Sequence, residues 1–318
     1  MEAGNNEIIK VFAGSDRSQL IAFKALEHSI KRNTKRQVEC RQIDNTMMPK
    51  CRSIINAPYT NFSFARFGIP SFTGYKGKGI YVDADMLVMT DIAELWEIPF
   101  DGAKVLLLEQ PESELHKKQS KKRKQTAVMV LNCEKLTDWK PEKIIGDLGI
   151  KYDRTALMSL HILPENEINE SIPTTWNCMD WYEEGVSNLV HYTHIETQPW
   201  VYPLHKHRQV WMDELKMMLE DGTVDEAFLR REIKLGYVRP SLLVELGFEN
   251  MPAGKNSLSG EELLKIDAES GFIMHAEMVE RHEKRMKHIK RAGEKTKHGK
   301  WRLNIVAFAR KQLKRKAA

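Results

Sequence analysis

Nine consecutive residues constrain this chain most. Ile80-Tyr81-Val82-Asp83-Ala84-Asp85-Met86-Leu87-Val88 is an apolar run interrupted only by two carboxylates. Such a run predicts a buried parallel strand that ends in a site. Two aspartates inside it would be costly to bury unless paired or liganded. Set one residue apart at a strand end, they can both reach a hard divalent cation, directly or through water. Taken alone the pair is weak evidence, because loop carboxylates commonly serve turns and caps.

The surrounding pattern alternates strands and helices, which gives an α/β fold class. Ile8 to Ala13 is a short apolar run closed by Gly14-Ser15-Asp16, and Leu20, Phe23, Leu26 and Ile30 then recur at near-helical spacing. A second strand is expected over Val38 to Ile43, followed by a helical or irregular stretch carrying Phe62, Phe64, Phe67 and Ile69 that ends at Pro70. Val105 to Leu108 and Ala127 to Leu131 read as buried strands, Arg154 to Leu163 as a helix, and Leu189 to Tyr192 as a further short strand. After Trp200 the chain becomes helical in pattern and rich in charge, so the expected division is a core over 1–203 and a helical extension over 204–318.

At 318 residues and 42% hydrophobic content the chain can bury a large core. Cys40, Cys51, Cys133 and Cys178 lack paired spacing and signal neither a disulfide framework nor a structural zinc site. No apolar run is long enough to span a membrane. Met1 to Asn6 is polar and acidic where a signal peptide needs a basic start, so the expected location is cytoplasmic.

The net charge of +5 is modest, but basic residues cluster in Lys117 to Lys124 and from Arg281 to Lys316. A loop of that length between core strands is expected to bind something or to move; its bland alternative is a solvated surface. It contains no aromatic residue, so nucleic acid is not the expected partner. The tail from Trp301 to Phe308, followed by Arg310, Lys311, Lys314, Arg315 and Lys316, suits either a basic amphipathic helix on an anionic membrane or a helix packed on the core with a solvated end. His191 leaves an apolar strand and reads as either a metal ligand or a satisfied core histidine. The polar stretch after it, ending in Pro199-Trp200, reads as a loop lining a site.

Taken in order, these segments resemble the nucleotide-sugar glycosyltransferases of the GT-A fold, and within them family 8, the group that includes glycogenin and bacterial lipopolysaccharide galactosyltransferases. The likeness covers roughly residues 8–203. Val11-Phe12-Ala13 with Gly14-Ser15-Asp16 resembles the first strand and nucleotide-contacting turn, and Phe64-Ala65-Arg66-Phe67 the segment before the metal site. Ile80 to Val88 with Asp91-Ile92-Ala93-Glu94-Leu95-Trp96 resembles the family signature. Val128-Met129-Val130-Leu131-Asn132-Cys133 resembles the strand lining the sugars, Tyr152-Asp153-Arg154 the acceptor segment, and Trp176-Asn177 a recurrent pair before the last core strand. Val190-His191-Tyr192 through Pro199-Trp200 resembles the closing element.

The resemblance implies a Rossmann-like mixed sheet flanked by helices, a uridine diphosphate sugar as donor, and Mn2+ or Mg2+ held by Asp83, Asp85 and His191. It implies that Ala13 and Asp16 meet the nucleoside, and that Arg66 serves the diphosphate or the loop carrying the metal site. Asn132, Asp153 and Arg154 are its catalytic candidates, and the acceptor is a glycan, a lipid-linked sugar or a protein. Two departures stand out: Gln198 replaces the lysine expected before Pro-Trp to contact the diphosphate, and Arg154 replaces a glutamine.

Three other readings compete. A haloacid dehalogenase-type phosphatase would carry Thr or Val where Leu87 stands, at the end of the first strand. A nucleotidyltransferase would show a glycine-rich basic loop where Gly14-Ser15-Asp16-Arg17-Ser18 stands. A non-catalytic basic module would rest on the lysine loop and the tail alone.

Overall fold

The computed structural model describes residues 7–53, 56, 61–109 and 124–298. Strand β1 (Ile9–Gly14) leads into helix α1 (Leu20–Asn33) and strand β2 (Val38–Ile43). Then come α2 (Ile69–Phe72), β3 (Lys78–Asp83), β4 (Met86–Val88), α3 (Ala93–Trp96), β5 (Val105–Leu108) and β6 (Val128–Asn132). They are followed by α4 (Pro141–Asp147), α5 (Arg154–Met158), β7 (Ile168–Ile172), β8 (Cys178–Met179) and β9 (Leu189–His191). Helices α6 (Arg208–Glu220), α7 (Glu226–Lys234), α8 (Leu242–Glu245), α9 (Gly260–Glu269) and α10 (His275–His298) complete the order.

The main sheet runs β2-β1-β3-β6-β5-β7. Strand β1 is parallel to β2 and β3, β6 is antiparallel to β3 and β5, and β7 is parallel to β5. The sheet is therefore mixed. Period-two alternation builds a core on each of its faces. Ile9, Val11, Ile80, Val82, Leu106, Val128 and Val130 enter one core, with Phe23, Leu26 and Ile30 of α1. The intervening Phe12, Tyr81, Val105, Met129 and Leu131 enter the other, with Phe64, Phe67, Ile144 and Leu157. With both faces covered, strands read as unbroken apolar runs, which is why they were legible.

The run 80–88 is not one strand. Strand β3 ends at Asp83, and β4 begins at Met86 in a second sheet, β4-β9-β8. Ala84 and Asp85 cross between the two, because β4 pairs antiparallel with β9 instead of continuing beside β6. Pro70 does not end a segment: a 3-10 stretch over Asn61–Phe67 precedes it, and it occupies the first turn of α2, where a missing N–H costs nothing. The expected helix 154–163 stops at Met158, and Leu160 adopts a left-handed φ of 56°. Strands β7 and β8 were not expected. The former carries Asn169, Glu170 and Ser171 at a sheet edge, and the latter has only two residues.

The helical segment after residue 203 does not stand apart. Ile21, Ala22 and Ala25, on the far side of α1, join Leu87, Val190, Tyr192 and Trp200 in a third core with Trp211, Met212 and Leu215 of α6 and Phe228 and Leu229 of α7. Compact packing extends to Ala276; residues from Glu277 form a second unit. The described part of that unit is the remainder of α10, which carries ion pairs Glu277–Arg281, Glu280–Lys284 and Glu283–Lys287 at helical spacing. All four cysteines are free. Among the described residues no helix is long and apolar enough to cross a membrane. The basic residues 117–123 and the tail 301–318 lie outside the described residues.

Candidate functional site

Asp83 closes β3 opposite Gly14 of β1, and its N–H donates to Ala127 O at 3.1 Å. Asp85 leads into β4, and its carbonyl accepts the Tyr192 N–H at 2.9 Å. His191 ends β9 across from Met86. The crossover between the sheets thus gathers all three side chains. His191 Nε2 lies 3.2 Å from Asp85 Oδ1 and 4.0 Å from Asp83 Oδ2, and one ligand atom from each residue fits within a 4.8 Å span.

Each of these side chains has its own second partner. Arg66 Nη2 and the Tyr81 hydroxyl donate to Asp83 Oδ1 at 2.9 and 2.7 Å. Gln198 Nε2 donates to Asp85 Oδ2 at 2.9 Å and to Tyr192 O at 3.0 Å. His191 Nδ1 is 2.8 Å from Asn177 Oδ1, and Asn177 Nδ2 donates to Gln125 Oε1 at 3.0 Å. With Nδ1–H donated to an amide oxygen, Nε2 is the ring atom that faces the carboxylates and can take a proton or a cation. Burial opposes the imidazolium, but Asp85 foremost, then Asp83 and Asp180, hold the His191 pKa above its ordinary value. A dication at Nε2 would compete with a proton there. The donor set of two carboxylates and one imidazole fits Mn2+ or Mg2+, and its outer hydrogen bonds orient it for one.

The triad opens into a cleft of about 580 Å³, whose lining includes Gly14, Gln19, Phe62, Ser63, Met179, Thr193 and Ile195. Gly14 has no room for a side chain, since a Cβ there would meet Phe62 O at 2.7 Å and the Ala65 Cβ at 2.9 Å. The volume is in the range of small-molecule sites.

The other expected site residues divide. Arg66 is buried and committed inward: besides Asp83 and Tyr81 it donates to Thr126 O and, at 2.8 Å, to Thr126 Oγ1. These bonds tie it to Asp83 at the end of β3 and to the segment before β6, while it also lines the cleft. Gln198 is buried and holds Asp85 instead of facing a diphosphate. Arg154 lines the cleft, whereas Asp153 is exposed and caps α5 by accepting the Ala156 N–H. Asp16 caps a 3-10 turn, accepting from Ser18, and the Ala13 side chain lies in the core; Gly14 and Gln19 line the cleft in that region.

Asn132 is misplaced by the sequence reading. It pairs with Lys78, five residues from Asp83 along β3, and caps the turn at the far end of the strands. Antiparallel pairing puts the start of β6, at Thr126 to Val128, beside the site instead. Lys124 also lines the cleft, held by Glu165 at 2.8 Å and Glu170 at 2.5 Å.

Asn177, Tyr81, Gln125 and Thr126 complete the site without having been assigned a part in it. Two of them left a trace in the sequence, Tyr81 inside the run Ile80 to Val88 and Asn177 as half of the Trp176-Asn177 pair. Replacing Asn177 with Ala removes the acceptor that fixes the His191 tautomer. The expected result is a cation affinity lower by about 10-fold or more, read by calorimetric titration with Mn2+. An unchanged affinity would show that the contact is merely structural.

Known proteins resemble this chain in sequence and in fold. The model of the family described as glycosyl transferase family 8 matches residues 10–137, a span that includes both aspartates but not His191. Protein CDI of Arabidopsis thaliana is 26% identical over 233 residues, covering 65% of this chain and 86% of that protein. The apo structure of WbbM, a bifunctional glycosyltransferase, superposes with a TM-score of 0.50 at 14% identity, over 67% of this chain and 50% of that one. The glycosyltransferase GlyE of Streptococcus pneumoniae TIGR4 gives a TM-score of 0.49 at 17% identity, over 65% of this chain and 60% of that one. The chain thus spans half the length of WbbM and about three fifths of GlyE.

Proposed function

We propose that this chain, a glycosyltransferase of the GT-A fold similar to family 8, transfers a sugar from a nucleoside diphosphate sugar to an acceptor hydroxyl with the help of a divalent cation. The observation that carries the reading is that Asp83, Asp85 and His191 converge at a cleft while each is oriented by its own buried partner. Asp83, Asp85 and His191 would hold Mn2+ or Mg2+. Once bound, the cation supplies charge neutralisation for the departing diphosphate.

The protein's own groups do the positioning. Arg66 and Tyr81 fix Asp83, and Gln198 fixes Asp85, so little reorganisation is needed when charge develops. The wall of Gly14, Gln19, Phe62 and Ser63 is assigned to the nucleoside, taken as uridine by resemblance. Met179, Thr193, Ile195 and Arg154 are assigned to the acceptor side, where a glycan, lipid-linked or protein hydroxyl would sit. Peripheral membrane contact through the basic tail and a cytoplasmic location belong to the same proposal. So does a catalytic part over 1–203 with residues 204–318 as a helical extension. A purely basic binding module would leave the convergence of Asp83, Asp85 and His191 at a cleft without a purpose.

The test is donor hydrolysis. The full chain is incubated with a panel of nucleotide-sugars and Mn2+, and free nucleoside diphosphate is measured. Release is expected from uridine diphosphate sugars and should stop on chelation. Release that is indifferent to chelation would overturn the cation's role, and silence across the panel would overturn the donor assignment.

A further inference from the structure

Arg239 is fully buried, as is Asp267 of α9. The arginine's backbone N–H donates to Trp200 O at 2.8 Å and its Nε to Pro199 O at 3.0 Å. Nη1 donates to Ser241 Oγ at 2.6 Å, and Nη2 lies 2.5 Å from Glu245 Oε2. Ser241 in turn donates to Asp267 through its N–H and its hydroxyl, at 2.7 and 2.9 Å. A buried charge cluster of this kind is weak evidence for stability, since apolar side chains of similar volume often serve as well. What apolar side chains cannot supply is the Nε–H donated to the Pro199 carbonyl by a guanidinium that Ser241 and Glu245 hold in place, whereas the bond to the Trp200 carbonyl comes from the backbone.

Those carbonyls belong to the residues immediately after Gln198. The Gln198 carbonyl itself accepts the N–H groups of Val201 and Tyr202, both at 2.9 Å. Its side-chain amide holds Asp85 Oδ2, which sets the rotation of that carboxylate and leaves Oδ1 beside His191. A shift of the Pro199-Trp200 backbone would therefore turn the Asp85 carboxylate away from the shared ligand point.

We propose that Arg239 is a positioning residue of the cation site, acting through Pro199-Trp200 and Gln198 on the orientation of Asp85. The inference rests on the cation reading above. It makes the helical segment part of the site's chemistry although that segment lends no ligand.

The experiment titrates Mn2+ into the full-length protein, reading free Mn2+ by electron paramagnetic resonance, with thermal unfolding recorded in parallel without cation. Arg239→Met and Gln198→Ala are each expected to weaken Mn2+ affinity about 10-fold, the size typical of outer partners of metal ligands. The double variant should be no weaker than Gln198→Ala alone, because one residue acts through the other. Leu243→Ala is the control: it opens the core that holds Trp200 but removes none of the hydrogen bonds that link Arg239 to Pro199 and Gln198 to Asp85, and should lower the unfolding temperature while leaving Mn2+ affinity unchanged.

Additive losses in the double variant, an unaltered affinity in Arg239→Met, or an equal loss in Leu243→Ala would each overturn the proposal. Should Arg239→Met fail to fold, Arg239→Lys keeps the charge but not the Nε–H, and the same pattern is expected at reduced size. A wild type that binds no Mn2+ overturns the cation reading itself and the inference with it. Normal wild-type binding with an unaffected Arg239 variant overturns the inference alone.

Discussion

Asp85→Asn is expected to lower Mn2+-dependent donor binding at least about 10-fold, or ~1.4 kcal/mol, and to lower turnover by a further ~100-fold. The substitution keeps the size of the side chain and removes its charge. Asparagine serves turn and cap roles about as well as aspartate, so a structural role would survive. The Gln198 N–H can still donate to the amide oxygen that replaces Oδ2, so the outer contact is preserved as well. What is lost is the anionic ligand facing His191. The turnover loss exceeds the binding loss because charge on the leaving group is greatest in the transition state. Calorimetry with and without Mn2+, beside steady-state kinetics, reads both quantities. A variant with unchanged Mn2+ dependence and normal turnover would remove the main support for the cation site.

Trp211→Ala is expected to destabilise the folded chain by about 3–5 kcal/mol, the usual cost of deleting a large buried aromatic. Trp211 is almost wholly buried, with its ring centroid 5.5 Å from that of Trp200. It shares a core with α1, β4 and β9, so the lost contacts belong both to the small sheet with α1 and to the helical segment. One cooperative transition should therefore move as a whole, by on the order of 10 °C, when calorimetry is compared with circular dichroism. Two separate transitions, with only one of them shifted, would mean that the segment after residue 203 folds as a domain of its own.

The strands and the two aspartates of the cleft were legible for one physical reason. A sheet covered on both faces demands apolar residues at every position, and a carboxylate within such a run stands out against them. Ile80 to Val88 therefore announced both the sheet and Asp83 and Asp85. The ordered likeness to family 8 added His191, which composition alone left open between a ligand and a core histidine. Strands β7 and β8 were hidden because an edge strand with polar residues and a two-residue strand carry almost no periodic signal.

Sequence by itself determined the α/β class, the apolar strands, and the identities of the two aspartates and the histidine. Tertiary structure alone decided where each strand went and what each side chain faced. The break at Ala84-Asp85 exists because β4 finds its partner in β9, a residue range a hundred positions away, and no local propensity records such a pairing. Asn132 was misjudged for the same reason, since antiparallel pairing of β6 with β3 carries it away from Asp83. The sequence left Arg66 open between a diphosphate and the loop of Asp83 and placed Gln198 toward a diphosphate; in the fold both are buried donors, to Asp83 and to Asp85. Whether a polar side chain faces outward to substrate or inward to another side chain depends on its burial and its partners, and both are fixed by long-range contacts.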